Sequence, residues 1–169
     1  MQRIIIIGNA GGGKTTLARA LAEKLRLPLY MLDTVQWQPG MKLTPLDELE
    51  KVLNGWTDEE KWIIEGFGPM ELMPLRFKRA DTIIYLDLPL MQHLLWVLKR
   101  QAQFAFKKRP ELPPDSPTLP MTWDIVKALF KIHYKLRPQL LKMLEEERTF
   151  KKVVRIRSKG ELAEFLKEF

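Results

Sequence analysis

Residues 3–16 read RIIIIGNAGGGKTT, and this stretch decides the fold class. Four consecutive isoleucines that end in glycine predict a strand buried on both faces, as in a parallel sheet. The leucines and alanines of residues 14–25 recur at helical spacing, so an amphipathic helix is expected next. Residues 8–15 lie between the two and match G-x-x-x-x-G-K-[ST], a loop whose N–H groups bind phosphates at a helix N-terminus. The sequence therefore predicts a nucleotide-binding phosphate loop.

The side chains of this loop have separate predicted roles. Lys14 is expected to reach the β- and γ-phosphates of ATP, and the hydroxyl of Thr15 is expected to bind Mg²⁺. Thr16 is expected to contact the α-phosphate. The predicted nucleotide-binding set is the whole loop, namely Gly8, Asn9, Ala10, Gly11, Gly12, Gly13, Lys14, Thr15 and Thr16.

The rest of the chain alternates strand and helix patterns. Further helices are expected from Thr44-Pro45, with Thr44 as the cap, from Pro89 to about Phe106, and from Lys159 to Phe169. This alternation predicts βαβ units and a three-layer α/β fold with helices on both faces of a parallel sheet. One domain over residues 1–169 is expected. The further strands are predicted at residues 28–32, 61–65, 81–86 and 152–156.

Composition excludes several other classes of protein. The 169 residues contain no cysteine, which excludes disulfide scaffolds, thiolate nucleophiles and Cys-ligated metals. No signal-peptide pattern precedes the first strand, and no apolar run approaches the ~20 residues of a membrane span. We therefore expect a cytoplasmic protein without membrane association, either a monomer or a dimer.

The net charge of +7 is concentrated in one part of the chain. Residues 99–159 carry 16 basic and 6 acidic side chains, a net charge of +10. Five prolines between residues 107 and 121 follow a basic run and exclude a helix interior there. We interpret residues 107–121 as an exposed loop, and residues 100–138 as a helical, proline-rich lid that closes over phosphates.

Three acidic residues follow predicted strands at the edge where open α/β sheets bind ligands. Asp33 could accept the proton of an acceptor hydroxyl or contact the metal. Glu65 is the predicted acid that completes the Mg²⁺ site with Thr15. Asp87 is the third acid. A simple role as a strand-end cap is the alternative for each acid, and it is the favoured interpretation only for Asp87. Trp37 follows Asp33 on the same edge and is a candidate to line the acceptor pocket.

These motifs resemble the adenylate-kinase-like P-loop kinases, and within them the DNA topology modulation protein (FlaR)-related kinases. The resemblance spans nearly the whole chain and implies a five-stranded parallel sheet of order 2-3-1-4-5 that binds ATP and Mg²⁺. It depends on residues 8–16, Leu32-Asp33 with Trp37 and Pro39-Gly40, residues 61–66, 79–87, 97–100, 109–110, 137–138 and 153–158.

The resemblance also implies roles for individual residues. Nucleotide kinases of this kind carry Asp-Gly-Phe-Pro-Arg after the third strand, whereas residues 65–69 here read EGFGP. The acid role therefore passes to Glu65, but the arginine that grasps a nucleoside monophosphate has no counterpart. Arg100 matches a lid arginine by its distance from Pro89, and Arg109 and Arg137 are looser matches. Asp33 corresponds to the acid that meets the acceptor in shikimate and gluconate kinases.

Three function classes stay open at this point. The first is an ATP-dependent kinase of a small molecule or nucleotide, with Lys14, Asp33, Glu65, Arg100 and Arg137 as catalytic residues and Arg109 as a nucleotide contact. The second is a nucleotide-dependent regulator that binds DNA or a protein and transfers little phosphate. Aromatic residues do alternate with basic ones near residue 130, but such stripes usually pack in the core. The third, a GTPase, lacks any Asn-Lys-x-Asp motif.

Overall fold

A five-stranded parallel sheet forms the centre of the molecule. A computed structural model describes residues 1–104 and 118–168, with the backbone alone described at residues 41, 100, 101, 103, 104 and 118–122. The strands are β1 (Arg3–Gly8), β2 (Leu29–Met31), β3 (Trp37–Gln38), β4 (Lys42–Leu43), β5 (Trp62–Glu65), β6 (Thr82–Leu86) and β7 (Lys152–Ile156).

The order of the sheet is β2-β5-β1-β6-β7, and every neighbouring pair in it is parallel. Numbered among these five strands alone, the order is 2-3-1-4-5, so the predicted fold class is confirmed. The antiparallel pair of β3 and β4 was not predicted, because two-residue strands leave no periodic pattern in a sequence.

Helices cover both faces of the sheet. They are α1 (Lys14–Leu25), α2 (Asp33–Gln36), α3 (Leu46–Asp58), α4 (Met73–Arg79), α5 (Leu90–Phe104), α6 (Thr118–Lys131), a π-helical segment (Ile132–Leu136), α7 (Arg137–Glu147) and α8 (Lys159–Lys167). Single 3₁₀ turns occupy Pro39–Met41 and Met70–Leu72.

The isoleucines of β1 divide the core into two layers. Ile5 and Ile7 pack on the side covered by α3, α4 and α7, whereas Ile4 and Ile6 pack on the side of α1 and α8. All four side chains are fully buried, because side chains alternate between the two faces of a strand and both faces are covered. The three-layer arrangement predicted from the sequence is therefore present.

Two predicted boundaries were wrong. Thr44 does not cap a helix, since α3 begins at Leu46 after Pro45 and the Thr44 hydroxyl donates to the carbonyl of Val35 at 2.7 Å. The predicted loop over residues 107–121 is wrong at its end, because α6 begins at Thr118. Pro120 fits there because the N–H groups of a first helical turn need no partner within the helix. The rest of that predicted loop lies outside the described residues.

Candidate functional site

The phosphate loop, residues 8–15, turns from the end of β1 into the first turn of α1. Gly11 and Gly13 adopt φ values of 67° and 80°, a region that residues with side chains rarely enter. A Cβ atom on Gly11 would lie only 2.9 Å from Cγ2 of Val97. These glycines therefore permit both the turn of the backbone and the close packing of α5 behind the loop.

Lys14, Thr15 and Glu65 come together at the carboxyl edge of the sheet. The ammonium group of Lys14 donates to the carbonyl of Asn9 at 3.1 Å and lies 3.9 Å from Oε1 of Glu65. The Thr15 hydroxyl donates to Oε2 of Glu65 at 3.2 Å. Glu65 is buried because β5 is an interior strand next to β1. The convergence of these three predicted site residues is the central geometric result.

Two side chains hold the backbone of the loop in place, one from the loop itself and one from α5. The side-chain amide of Asn9 donates to the carbonyl of Leu129 in α6 at 2.9 Å, and its oxygen accepts from the N–H of Ala10 at 2.8 Å. Nδ1 of the buried His93 lies 2.9 Å from the carbonyl of Ala10. A carbonyl only accepts hydrogen bonds, so Nδ1 carries the proton. Burial lowers the pKa of His93, which favours this neutral ring.

His93 shows how tertiary structure assigns a role that a sequence hides. In the sequence, His93 has no second histidine or acid cluster at metal-ligand spacing, which indicates a structural role and no particular partner. The ring in fact lies against the phosphate loop, where a Cβ on Gly12 would meet its Cε1 atom at 2.8 Å. A histidine one turn after a strand-end proline was the available signal, but it is too common to identify a contact with a particular loop.

Asp33 lies at the same edge of the sheet but stands apart from the Glu65 cluster. It is the first residue of α2 and is exposed. The N–H of Leu32 donates to the carbonyl of Glu65 at 2.8 Å, which holds the end of β2 beside the end of β5. Among the described residues, the Asp33 carboxylate has no hydrogen-bond or ion-pair partner. Trp37 follows in β3 and is half-buried.

Asp87, the third strand-end acid, is held by two arginines. Arg137 contributes Nε at 2.7 Å and Nη2 at 2.9 Å, and Nε of Arg155 lies at 2.8 Å. Burial raises the pKa of Asp87, but the two guanidinium groups outweigh burial and bring it below the ordinary value. Burial and the Asp87 carboxylate raise the pKa of the neighbouring Tyr85. This acid is thus kept as a carboxylate in an ion-pair cluster.

The predicted lid arginines have three different outcomes. Arg137 begins α7 and binds Asp87. The backbone of Arg100 lies in α5, and its side chain is not described. Arg109 lies outside the described residues. Arg155 was missed by sequence reasoning, and the only signal for it was a charged residue within the apolar strand pattern of residues 152–156.

The donor set fits a magnesium ion that keeps most of its water. Across the described residues, 1–104 and 118–168, no group of three or more His, Cys, Asp or Glu side chains could hold a metal ion. Thr15 and Glu65 nevertheless offer a hydroxyl and a carboxylate side by side. Mg²⁺ is typically bound through one or two protein oxygens together with substrate phosphates and water.

The exposed side of α6 and the π-helical segment combines aromatic and basic side chains. Trp123, Phe130 and Tyr134 are 64, 40 and 63% exposed, so the expectation that this stripe packs in the core was wrong. The face is defined by the exposed residues Trp123, Lys127, Phe130, Lys131, Tyr134 and Lys135; we call it the α6 face.

Comparison with known proteins identifies the architecture. No family model matches the chain, and no curated protein matches its sequence. The shikimate kinase of Acinetobacter baumannii, solved with shikimate, superposes with a TM-score of 0.58 at 17% identity over 99% of this chain and 90% of that one. The chain has the fold of the P-loop kinases.

A second solved structure agrees. The shikimate kinase of Bacteroides thetaiotaomicron has a TM-score of 0.53 at 21% identity, and the match covers 99% of this chain and 95% of that one.

Within residues 1–104 and 118–168, every helix is too short or too polar to span a bilayer.

Removing the Asp87 carboxylate should destabilise the fold. In Asp87→Asn two cations lose their shared partner, and we expect a loss of about 2 kcal/mol, which corresponds to a fall in Tm of about 4–8 °C for a chain of this length. Calorimetry at pH 7 measures it. Asp124→Asn, which breaks the exposed Lys127 pair at 3.4 Å, is the control and should change Tm by less than about 2 °C.

The same pair of variants has a defined pH dependence. The pKa of Asp87 is lowered in the fold, so its stabilisation is present above the ordinary value of 3.8 and is lost as pH falls through the folded-state pKa. The difference in Tm between the wild type and Asp87→Asn should therefore shrink below pH 4. A difference that stays constant down to pH 2 would contradict the ion-pair assignment.

Proposed function

We propose that this protein is an ATP-dependent phosphotransferase that acts on a small-molecule or nucleotide acceptor. The observation that carries the proposal is the convergence of Lys14, Thr15 and Glu65 on a glycine loop at a helix N-terminus. Phosphoryl transfer requires little beyond positioning and charge stabilisation, and this site offers both. The similarity to FlaR-related kinases is part of the same proposal.

In this proposal the loop N–H groups and Lys14 bind the ATP phosphates. Thr15 and Glu65 would hold Mg²⁺, and the ion would supply positive charge beside the phosphates. Lys14 is already beside the carboxylate of Glu65, so the cation is preorganised and needs little reorientation. Arg100, Arg109 and Arg137 are proposed to add positive charge from the lid side.

Asp33 is proposed to act on the acceptor. Its exposed carboxylate at the start of α2 is available to accept the proton of an acceptor hydroxyl as the oxygen bonds to the γ-phosphorus and the bond to the ADP oxygen breaks. The Acinetobacter relative in fold is a shikimate kinase, which makes hydroxyl-bearing ring compounds one acceptor class to test. Nucleosides and nucleotides are the other class.

Lys14→Ala should lower the rate of phosphoryl transfer about 100-fold or more. The variant lacks the ammonium group that stabilises the negative charge of the transferred phosphoryl group in a low-dielectric site. The measurement is coupled ADP release over a panel of nucleoside monophosphates, nucleosides, shikimate-like polyols and sugars. Lys24→Ala on the same helix removes an ammonium that bonds the Leu166 carbonyl at 3.1 Å and should retain wild-type rates. Wild-type turnover in a folded Lys14→Ala protein would refute the site assignment.

Asp33→Asn should separate chemistry from nucleotide binding. Loss of the proton acceptor is expected to lower kcat by about 10²–10⁴-fold, with the Kd for ATP changed less than threefold in calorimetry. Asp58→Asn, an exposed acid that pairs with Arg79 at 2.9 Å on the surface, is the matched control. An equal loss of turnover and ATP affinity would assign Asp33 to the metal or to structure.

The α6 face favours a second candidate, a nucleotide-dependent regulator that binds single-stranded nucleic acid. Lys127, Lys131 and Lys135 repeat every four residues, about 6 Å along a helix, beside an exposed aromatic row. Bases stack on aromatic rings while lysines neutralise phosphates. Asp124 is the one acid on this side of α6, and it already pairs with Lys127.

Fluorescence anisotropy with a labelled single-stranded oligonucleotide at 50–200 mM salt tests this candidate. Replacing the three lysines of the α6 face by Gln should reduce affinity at least tenfold and reduce the salt slope by about 0.7 per lost phosphate contact. The control is a triple variant in which the exposed Lys42, Lys51 and Lys61, which lie outside the α6 face, are replaced by Gln. It loses the same amount of charge. Equal losses in the two triple variants would show that only net charge matters and reject the candidate.

A further inference from the structure

The five-stranded sheet ends in two edge strands, β2 and β7. β7 pairs with β6 along its whole length. The N–H of Lys152 donates to the carbonyl of Asp81 at 3.2 Å, and at the other end of β7 the carbonyl of Ile156 accepts from the N–H of Asp87 at 2.8 Å. The backbone groups of successive residues alternate between the two sides of a strand. Residues 152, 154 and 156 therefore face β6.

The other two residues of β7, Val153 and Arg155, direct their N–H and carbonyl groups to the outer side. None of these four groups has a hydrogen-bond partner within residues 1–104 and 118–168. The opposite edge of the sheet is different, because β2 has only three residues and its carbonyl at Met31 accepts from the Thr34 hydroxyl at 2.7 Å. A row of unpaired backbone groups on an edge strand can take up a further strand, and β7 offers such a row.

A cavity of about 300 Å³ lies beside this edge, between β7 and α7. Val153 and Arg155 line it from the strand, and Leu141 and Leu144 line it from the helix. Val153 and Arg155 are alternate residues, so their side chains lie on the same face of the sheet. A strand that pairs with β7 would place its own alternate side chains on that face, and the cavity provides room for them.

The surroundings of this edge carry an excess of positive charge. The cations, which come from α7, from β7 and from the residue after β7, are Lys142, Arg148, Lys152, Arg155 and Arg157. The acids that contact this set are Asp87, Glu145 and Glu161. Lys142 and Lys152 are exposed, and neither forms an ion pair with another residue that the structure describes. These two cations are therefore available to a partner.

The charges of this edge disfavour one occupant and favour another. If the β7 strands of two copies of the chain paired, the same cations would face one another across the new ladder, and opposed like charges destabilise a sheet. A strand with acidic side chains meets those cations with the opposite charge. Leu141, Leu144 and Val153 give the cavity an apolar floor, which suits a β-branched or other apolar residue among the acidic ones.

We propose that β7 is a docking edge for an extended acidic peptide of another protein, which joins the sheet as a further strand beside β7. The outward N–H and carbonyl groups of Val153 and Arg155 bind the backbone of this peptide. Lys142, Arg148 and Lys152 pair with its carboxylates. The phosphate loop and Asp33 take no part in this contact, so the inference goes beyond the proposed function and does not depend on it.

Amide NMR on the full chain tests the docking edge directly. The ¹⁵N-labelled protein is titrated with the acetylated and amidated peptide EVEVEVE. We expect saturable downfield shifts and slower hydrogen exchange at the amides of Val153 and Arg155, because their N–H groups gain acceptors. The amide of Val154 faces β6 already and should change little. A titration without a saturable response at Val153 and Arg155 would overturn the proposal.

Two N-methylated peptides separate strand addition from simple charge attraction. One carries N-methyl groups on its three valines and the other on three of its glutamates, which removes N–H donors from opposite sides of the peptide strand and leaves the charge unchanged. The isomer that loses the donors facing β7 should bind about tenfold more weakly than the parent peptide. The other isomer should bind as the parent does. Equal affinities of the two isomers would contradict strand addition.

Paired variants test the charges on the protein side. Lys142→Gln combined with Arg148→Gln should weaken binding of the parent peptide about tenfold in fluorescence anisotropy. Lys51→Gln combined with Lys61→Gln removes the same charge outside this edge and should bind the peptide as the wild type does. Equal losses in the two double variants would reject the docking edge. Slower exchange at Val153 and Arg155 as the protein alone is concentrated would assign the edge to a second copy and overturn the proposal.

Discussion

The contact between Thr15 and Glu65 joins the two halves of the site, and the rest of the arrangement depends on it. Lys14 and Thr15 are the first residues of α1, whereas Glu65 is the last residue of β5. The pairing of β1 with β5 brings their side chains together. Because Glu65 is buried, its charge acts on these two neighbours with little screening by water. The phosphate loop and the acid are consequently held in one geometry by contacts within the chain.

The three strand-end acids have the same sequence signature and three different environments. Asp33 is exposed, Glu65 faces the phosphate loop, and Asp87 is neutralised by Arg137 and Arg155. Burial and nearby cations explain the difference, because an acid paired with two arginines is no longer available as a base. This division of roles supports an acceptor site at the Asp33 side, whereas Asp87 holds Arg137 and Arg155 in an ion-pair cluster.

Sequence reasoning was most successful where a short pattern determines local structure. The isoleucines of residues 4–7 and the glycines of the loop predicted β1, α1 and the position of the phosphate loop, because periodicity and φ preferences are local properties. It failed for Trp123 and Tyr134, whose helical spacing is the same on a buried face and on an exposed one. It also missed Arg76 and Arg155, since the partners of a buried arginine lie far away in the chain.

The sequence by itself determined the parallel α/β class, the loop that binds phosphate, and the acids available at one edge of the sheet. Only the tertiary structure decided which acid meets the loop, that His93 and Asn9 hold its backbone, and that Arg76 binds the carbonyls of Gly66 and Phe67. The physical reason is that hydrogen bonds and ion pairs between distant residues depend on strand order and helix packing. A strand pattern in the sequence predicts which face of the strand a residue occupies and which residue ends the strand. The residues that contact that end depend on the tertiary structure.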